Sequence, residues 1–361
     1  MLGTIFVAMS VNNIHVHRTG LTVPRENGHT IEGEDKDMKE YEMIIAASLR
    51  NAEKKHPGEN LLISPLSLMI TLAQIRISED PAYAEEASKL AEVMTAAKET
   101  VMADAFALVR EGNFRPVFSE EYKERFEKLF GSEVFYTPDP AKTLNTWVRE
   151  KTHGMITDLF QENEPGTLLT HVNSICFEDL WQEMYREDNI SEEEFTNADG
   201  SVRNVQMMYS TEYTYMEDEH FRGFARPFKN SGYDFVGIIP KDGHGITADV
   251  LKKLDICELY SKREESELAV GIPEFSAEMT EKSDVLLEGI CPISTNRGTS
   301  VTNTAKVIVD RKGTRAAAAA SYRVLGCFLG PDPVALDSPF IYALMHRETG
   351  LPLFAGTVNR L

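Results

Sequence analysis

Between Gly313 and Val324 the chain reads GTRAAAAASYRV, and its two charges, Arg315 and Arg323, fall on one parity. In a strand, successive side chains point to opposite faces. One face then carries Thr314, Ala316, Ala318, Ala320, Tyr322 and Val324, all uncharged and mostly small. The other carries Gly313, Arg315, Ala317, Ala319, Ser321, Arg323 and Leu325. Such a segment can become an inner strand of a sheet with both guanidinium groups left in water. Composition alone favours a helix, because alanine has the best helix propensity. The flanks reverse that judgement. LGCFLGPDPVALDSPF follows, rich in glycine and proline, which no helix or central strand tolerates. FIYALMHRETGLPLFAGTVNRL then closes the chain as two apolar runs around a polar turn, the pattern of a β-hairpin.

A small-residue strand, an exposed loop and a terminal buried hairpin form the order found at the end of a serpin. VIVDRKGTRAAAAAS resembles that family's hinge, and DSPFIYALMHRETGLPLFAGTV resembles its C-terminal signature. ISPLS, THVNSICF with Trp181 after it, and ELAVGIPEFSAEM are similar to further family strings. The wording around FTNADG and LPLFAGTV is closest to bacterial members. The resemblance implies an α+β fold, with helices packed on three β-sheets and a reactive-centre loop over about 313–337. It makes Gly313, Thr314, Arg315, Ala316, Ala317, Ala318, Ala319 and Ala320 the hinge.

The implied activity is suicide-substrate inhibition rather than enzymatic turnover. A target protease attacks the loop, forms an acyl bond, and is trapped when the cut loop inserts into the main sheet. The partner is then a serine protease of the chymotrypsin, elastase or cathepsin G kind, or a papain-like cysteine protease, in a covalent acyl complex with a monomer. No cofactor is implied. A non-inhibitory serpin, serving as a binding or structural protein, is the alternative. By the family's usual spacing, counting from the hinge glycine puts the scissile bond after Cys327, and counting back from Pro339-Phe340 puts it after Phe328. Phe328 suits a chymotrypsin-like pocket.

Composition narrows the partners independently. The net charge is −20, which disfavours nucleic acid, anionic membranes and heparin-like polyanions. Four cysteines, Cys176, Cys257, Cys291 and Cys327, are too few and too scattered for a disulfide framework or a metal site. There is no HExxH, CxxC, GxSxG or phosphate-loop motif, so no catalytic or metal-ligating residues are assigned. His15 and His17 are read as part of an N-terminal extension, residues 1–36, that is either a weak signal segment or a polar disordered tail. Secretion, and with it an extracellular site of action, follows from the resemblance alone. Asn189-Ile190-Ser191 fits a glycosylation sequon, a pattern common by chance.

Residues 37–361 show no repeat or linker and read as one domain. Helices are expected over Asp37–Lys55, after Pro65, over Glu79–Thr100, over Glu120–Phe130 and over Leu144–Phe160, the last resembling the family helix that crosses the main sheet. Phe106–Val117 is expected to be extended. Thereafter strands dominate, with a turn at Asn197–Gly200 and a hairpin turn at Lys241–Gly245. The stretches Ser67–Asn145 and Pro273–Gly313 are shorter than is usual in the family.

The resemblance also marks two clusters. At the top of the main sheet, called the breach in this family, it picks out Trp181, Glu274 and Arg311. The usual acidic residue and lysine are here Arg311 and Glu274, both signs reversed, so an equivalent ion pair is expected. At the middle of the sheet, the family's shutter, it picks out Ser64, Ser67, Asn173 and Asn303. Asn303 stands where a histidine is usual. Asparagine donates and accepts but does not titrate, so sheet opening is expected to lack the histidine-linked pH dependence of relatives.

Overall fold

The computed structural model describes residues 34–77, 80–109, 119–163, 165–243, 245–290, 299–311 and 331–361. The chain opens with α1 (Glu34–Lys55), which starts three residues before the expected Asp37. Then come β1 (Leu61–Ile63), α2 (Pro65–Arg76), α3 (Pro81–Met94), β2 (Thr100–Val109), α4 (Glu120–Phe130), β3 (Glu133–Thr137) and α5 (Pro140–Lys151). Strands β4 (Leu169–Phe177), β5 (Ile190–Thr196), β6 (Val202–Glu217), β7 (Phe221–Pro227) and β8 (Tyr233–Pro240) follow. The short helices α6 (Ala248–Leu251) and α7 (Ile256–Ser261) lead to β9 (Glu264–Pro273), β10 (Phe275–Lys282) and α8 (Ser283–Leu286). The described chain ends with β11 (Thr299–Val309), β12 (Val334–Ala335), β13 (Phe340–His346) and β14 (Pro352–Val358). No helix among the described residues is long and apolar enough to cross a membrane.

Local chemistry explains the helix ends. Proline sits at the first position of α2, α3 and α5, where its missing N–H costs nothing. Ser64, Asp80 and Asp139 cap these helices by accepting from the backbone N–H three residues on. Gly131, at φ 65°, ends α4 in the left-handed region. Two expected helices stop short. The one expected through Thr100 ends at Met94, because Thr95 turns its hydroxyl and N–H back onto the Ala91 carbonyl and Thr100 already pairs with Phe177 in a sheet. The one expected through Phe160 ends at Lys151. His153 and Gly154 take positive φ (51° and 79°), and the Asn145 side chain binds the Leu159 and Phe160 backbone, folding the tail onto the helix.

The strands form a nine-stranded sheet in the order β1-β14-β13-β8-β7-β6-β9-β12, with β5 also on β6, and a five-stranded sheet in the order β10-β11-β4-β2-β3. Two of the three expected sheets are thus joined. The 16-residue β6 pairs with β5 from Val202, with β9 from Met207 and with β7 from Tyr215, and its register with β9 shifts between Glu212 and Thr214. The turn after β8 does not make a hairpin, since the chain passes into α6 and β8 pairs with β7 and β13.

Between the sheets lies the main core. Phe275 on β10 meets Tyr342 and Phe340 on β13 edge-on, with ring centroids 5.1 and 5.5 Å apart. Helix α2 is buried from Pro65 to Ile75 beneath the five-stranded sheet, with Ser67 and Gln74 as polar contacts among mostly apolar residues. On that sheet's outer face Ala103, Ala105 and Ala107 leave room for α5, whose Leu144, Trp147 and Val148 pack there with Val172. The terminal hairpin β13–β14 is buried at every residue.

Candidate functional site

The five-stranded sheet has a seam. Its neighbours β11 and β4 run parallel, in register from Thr299↔Leu169 to Lys306↔Cys176. The sheet is mixed, with β10 antiparallel to β11 and β2 antiparallel to β4. Parallel pairs are slightly the weaker kind. This one is also polar: Ser300, Thr302, Asn303 and Thr304 on β11 and Thr170, His171, Asn173 and Ser174 on β4 are all buried. Among the described residues the Ser174 hydroxyl has no hydrogen-bond partner.

Ser67, at the start of α2, sits under the seam and touches both banks. Its Oγ lies 2.5 Å from Asn173 Oδ1 and 2.6 Å from Asn303 Oδ1. One hydroxyl carries one proton, so it donates to one of them. With the Asn303 amide turned over, its NH2 donates to Ser67 and its oxygen accepts from the Ser283 hydroxyl, which contacts the same amide. Asn303 and Asn173 stand opposite each other in the register. Ser64 lies apart from this trio: it caps α2 and donates to the Leu353 carbonyl of β14 at 3.0 Å.

At the end of β11, where the chain leaves the sheet, Trp181 is buried and its Nε1 donates to the Asp310 carbonyl at 2.8 Å. The indole stacks on Phe228 and carries the Arg226 guanidinium above its ring. The buried Arg226 pairs with Glu212. Next along the chain, Arg311 grips Glu274 with Nε to Oε1 at 2.7 Å and Nη2 to Oε2 at 3.2 Å. Its backbone N–H adds a third bond to the same carboxylate. Arg311 holds the Glu274 carboxyl below its ordinary range and is itself raised, and Nη1 reaches Glu187 at 3.2 Å. Glu274 bridges from β9 to β10, so the reversed pair ties β11 to the sheet's edge strand.

Other groups in the network were invisible to motif reading. Asn173 Nδ2 donates to the buried Asp104 on β2, whose carboxylate also takes Gln74, Ser132 and His171. Alternation along β2 and β4 places Asp104 and His171 inward, but their pairing depends on strand register. The hinge Gly313–Ala320 and the scissile candidates Cys327 and Phe328 lie outside the described residues. Cys176 is free and buried, its thiol pushed up to about 12 by burial and Glu178, and Cys257 is free as well. Among the described residues no cluster of His, Cys, Asp or Glu suits a metal.

Comparison with known proteins places this geometry. The family model described as serpin (serine protease inhibitor) matches residues 45–361. Serpin A3-3 of Bos taurus is 27% identical over 388 aligned positions, covering 93% of this chain and 90% of its own. Leukocyte elastase inhibitor A of Mus musculus is 24% identical, covering 84% of this chain and 93% of its own. Among solved structures, a thermophilic serpin, tengpin, in its native state superposes with a TM-score of 0.79 at 23% identity, over 94% of this chain and 96% of its own.

Proposed function

Since the chain belongs to the serpin family, we propose that it is a suicide-substrate inhibitor that traps a protease by inserting its cut loop at the β4–β11 seam. The observation that carries this reading is the parallel pairing of β4 and β11. A strand that turns back from the end of β11 and enters between them is antiparallel to both. One parallel ladder is then replaced by two antiparallel ones. An inserted strand of about a dozen residues gains hydrogen bonds worth roughly 0.5–1.5 kcal/mol each. Their sum rivals the roughly 5–15 kcal/mol that stabilises an ordinary domain. The closed seam is therefore a kinetically held state.

The seam residues fit this role. Adjacent strands are about 4.8 Å apart, so an added strand doubles the distance between the two banks. Ser67 then has to release Asn173 or Asn303. The entering strand needs small uncharged residues on its buried face, which the parity of Gly313–Val324 supplies. Arg315 and Arg323 stay on the opposite face. Deacylation stalls because the dragged protease loses its oxyanion geometry. Phe328 as the residue before the cut selects a chymotrypsin-like target. Action outside the cell, by a monomeric inhibitor, is part of the same proposal.

Incubation with chymotrypsin, elastase and papain tests this. The expected product is an SDS-stable complex with at least one of them, the cut falling between Leu325 and Leu329. Cleavage without a complex, but with a large rise in heat stability, assigns the non-inhibitory role. Cleavage with neither overturns the reading.

A further inference from the structure

Asp104 and His171 are diagonal neighbours across β2 and β4, where Asp104 stands opposite Asn173 and Phe106 opposite His171, and His171 Nε2 lies 2.7 Å from Asp104 Oδ1. Both are buried, at 1% and 3% exposure. The other carboxylate oxygen, Oδ2, accepts from Gln74 of α2 at 2.8 Å and from Ser132, just before β3, at 2.5 Å. Asn173 Nδ2 completes the set at 3.0 Å on Oδ1. This carboxylate therefore binds the β2–β4 half of the sheet to α2, and through Asn173 and Ser67 it reaches the seam.

From β11 the residues opposite His171 and Asn173 are Val301 and Asn303. From β2 the Phe106 ring stacks on His171 at 4.4 Å, and Phe126 of α4 lies behind it. From β3 and α5 the nearby charges are Glu133 and Lys151, which pair with each other on the α5 face with Trp147. Among the described residues His171 is the ionisable side chain in contact with Asp104.

We propose that Asp104 and His171 form a proton-operated latch that seats the β2–β4 half of the sheet on α2, so that acid eases strand entry at the seam. The strand-entry clause rests on the function proposed above. Protonating Asp104 would set an O–H against one of the groups that converge on it from Gln74, Ser132, Asn173 and His171 and would take the charge away from the rest. Burial pushes the Asp104 carboxyl up, but the His171 charge and the hydrogen bonds outweigh it and hold the group below its ordinary range. A depressed folded value means stabilisation that is complete above the unfolded carboxylate range and lost as pH falls through the folded value. The family's usual histidine is missing at Asn303, yet a different histidine enters the same network from β4.

The test is amide hydrogen exchange of β4 and β11 in the intact protein from neutral to acid pH, corrected for intrinsic exchange. Wild type is expected to lose seam protection at a defined acid midpoint, before the β13–β14 hairpin does. His171→Gln keeps a donor but no charge and should raise that midpoint by about one to three pH units. Asp104→Asn should leave seam protection independent of pH over the same range. A midpoint unmoved in His171→Gln, or an acid midpoint that persists in Asp104→Asn, overturns the latch. A nicked loop that enters the sheet at no pH defeats the proposed function instead, and the exchange profiles still judge the latch.

Discussion

The seam β4–β11 and the hairpin β13–β14 are both buried paired strands, yet they are built on opposite plans. The hairpin is antiparallel, and aside from His346 and Thr357 its buried residues are apolar or glycine. Tyr342, on β13, donates to the Leu61 carbonyl at 3.2 Å, and Gly356 lets β1 and Tyr342 close against the backbone. The seam is parallel, sets buried Ser, Thr, Asn and His between apolar residues such as Val172, Ile175, Val301 and Ala305, and is held by directional bonds to α2. Apolar packing resists separation in proportion to area. A hydrogen-bonded seam gives up a few specific bonds, and those bonds can be remade with an incoming strand. The chain thus has one region built to stay shut and another built to part.

The largest effect expected from breaking this contrast is in the hairpin. A Cβ at Gly356 would collide with the Leu61 carbonyl oxygen and would lie 2.5 Å from Tyr342, and backbone cannot yield. Gly356→Ala should cost about 3 kcal/mol or more in chemical denaturation, with no selective loss of seam protection. Ser67→Ala comes next. It strips the hydroxyl that bridges both banks, and should cost about 1–3 kcal/mol while raising exchange in β4 and β11 and speeding heat-induced polymerisation. If Ser67→Ala loosened the hairpin as much as the seam, the contrast would be lost.

The smallest effect on stability belongs to the half-buried pair at the end of β11. Arg311→Glu should cost about 0.2–1 kcal/mol, since the pair is partly solvated. Its consequence for opening should be larger than that figure: polymer formation is expected to rise, and adding Glu274→Lys should reverse it. A double variant that polymerises as readily as the single one would dissolve the link between this pair and the seam.

How much of this was legible in the sequence depended on the kind of signal. The hairpin announced itself through two apolar runs around a polar turn, and Pro65 marked the start of α2. The Glu274–Arg311 contact could be read as charge, because the two signs are reversed together. The end of α5 could not be read, since the stop is made by backbone sign at His153 and Gly154 and by the reach of Asn145, not by a proline. The Asp104–His171 pair was also hidden. Its members lie 67 positions apart, and only the β2–β4 register makes them diagonal neighbours. The continuity of the nine-stranded sheet is equally a matter of register, set where β6 changes partner.

The most direct test of the seam is a crystal structure of the protein cut once within Leu325–Leu329. The expected result is a six-stranded sheet, with the alanine-rich segment lying antiparallel between β4 and β11 and Ser67 bonded to one bank alone. A nicked protein that keeps Asn303 opposite Asn173 in an unbroken parallel ladder would contradict it.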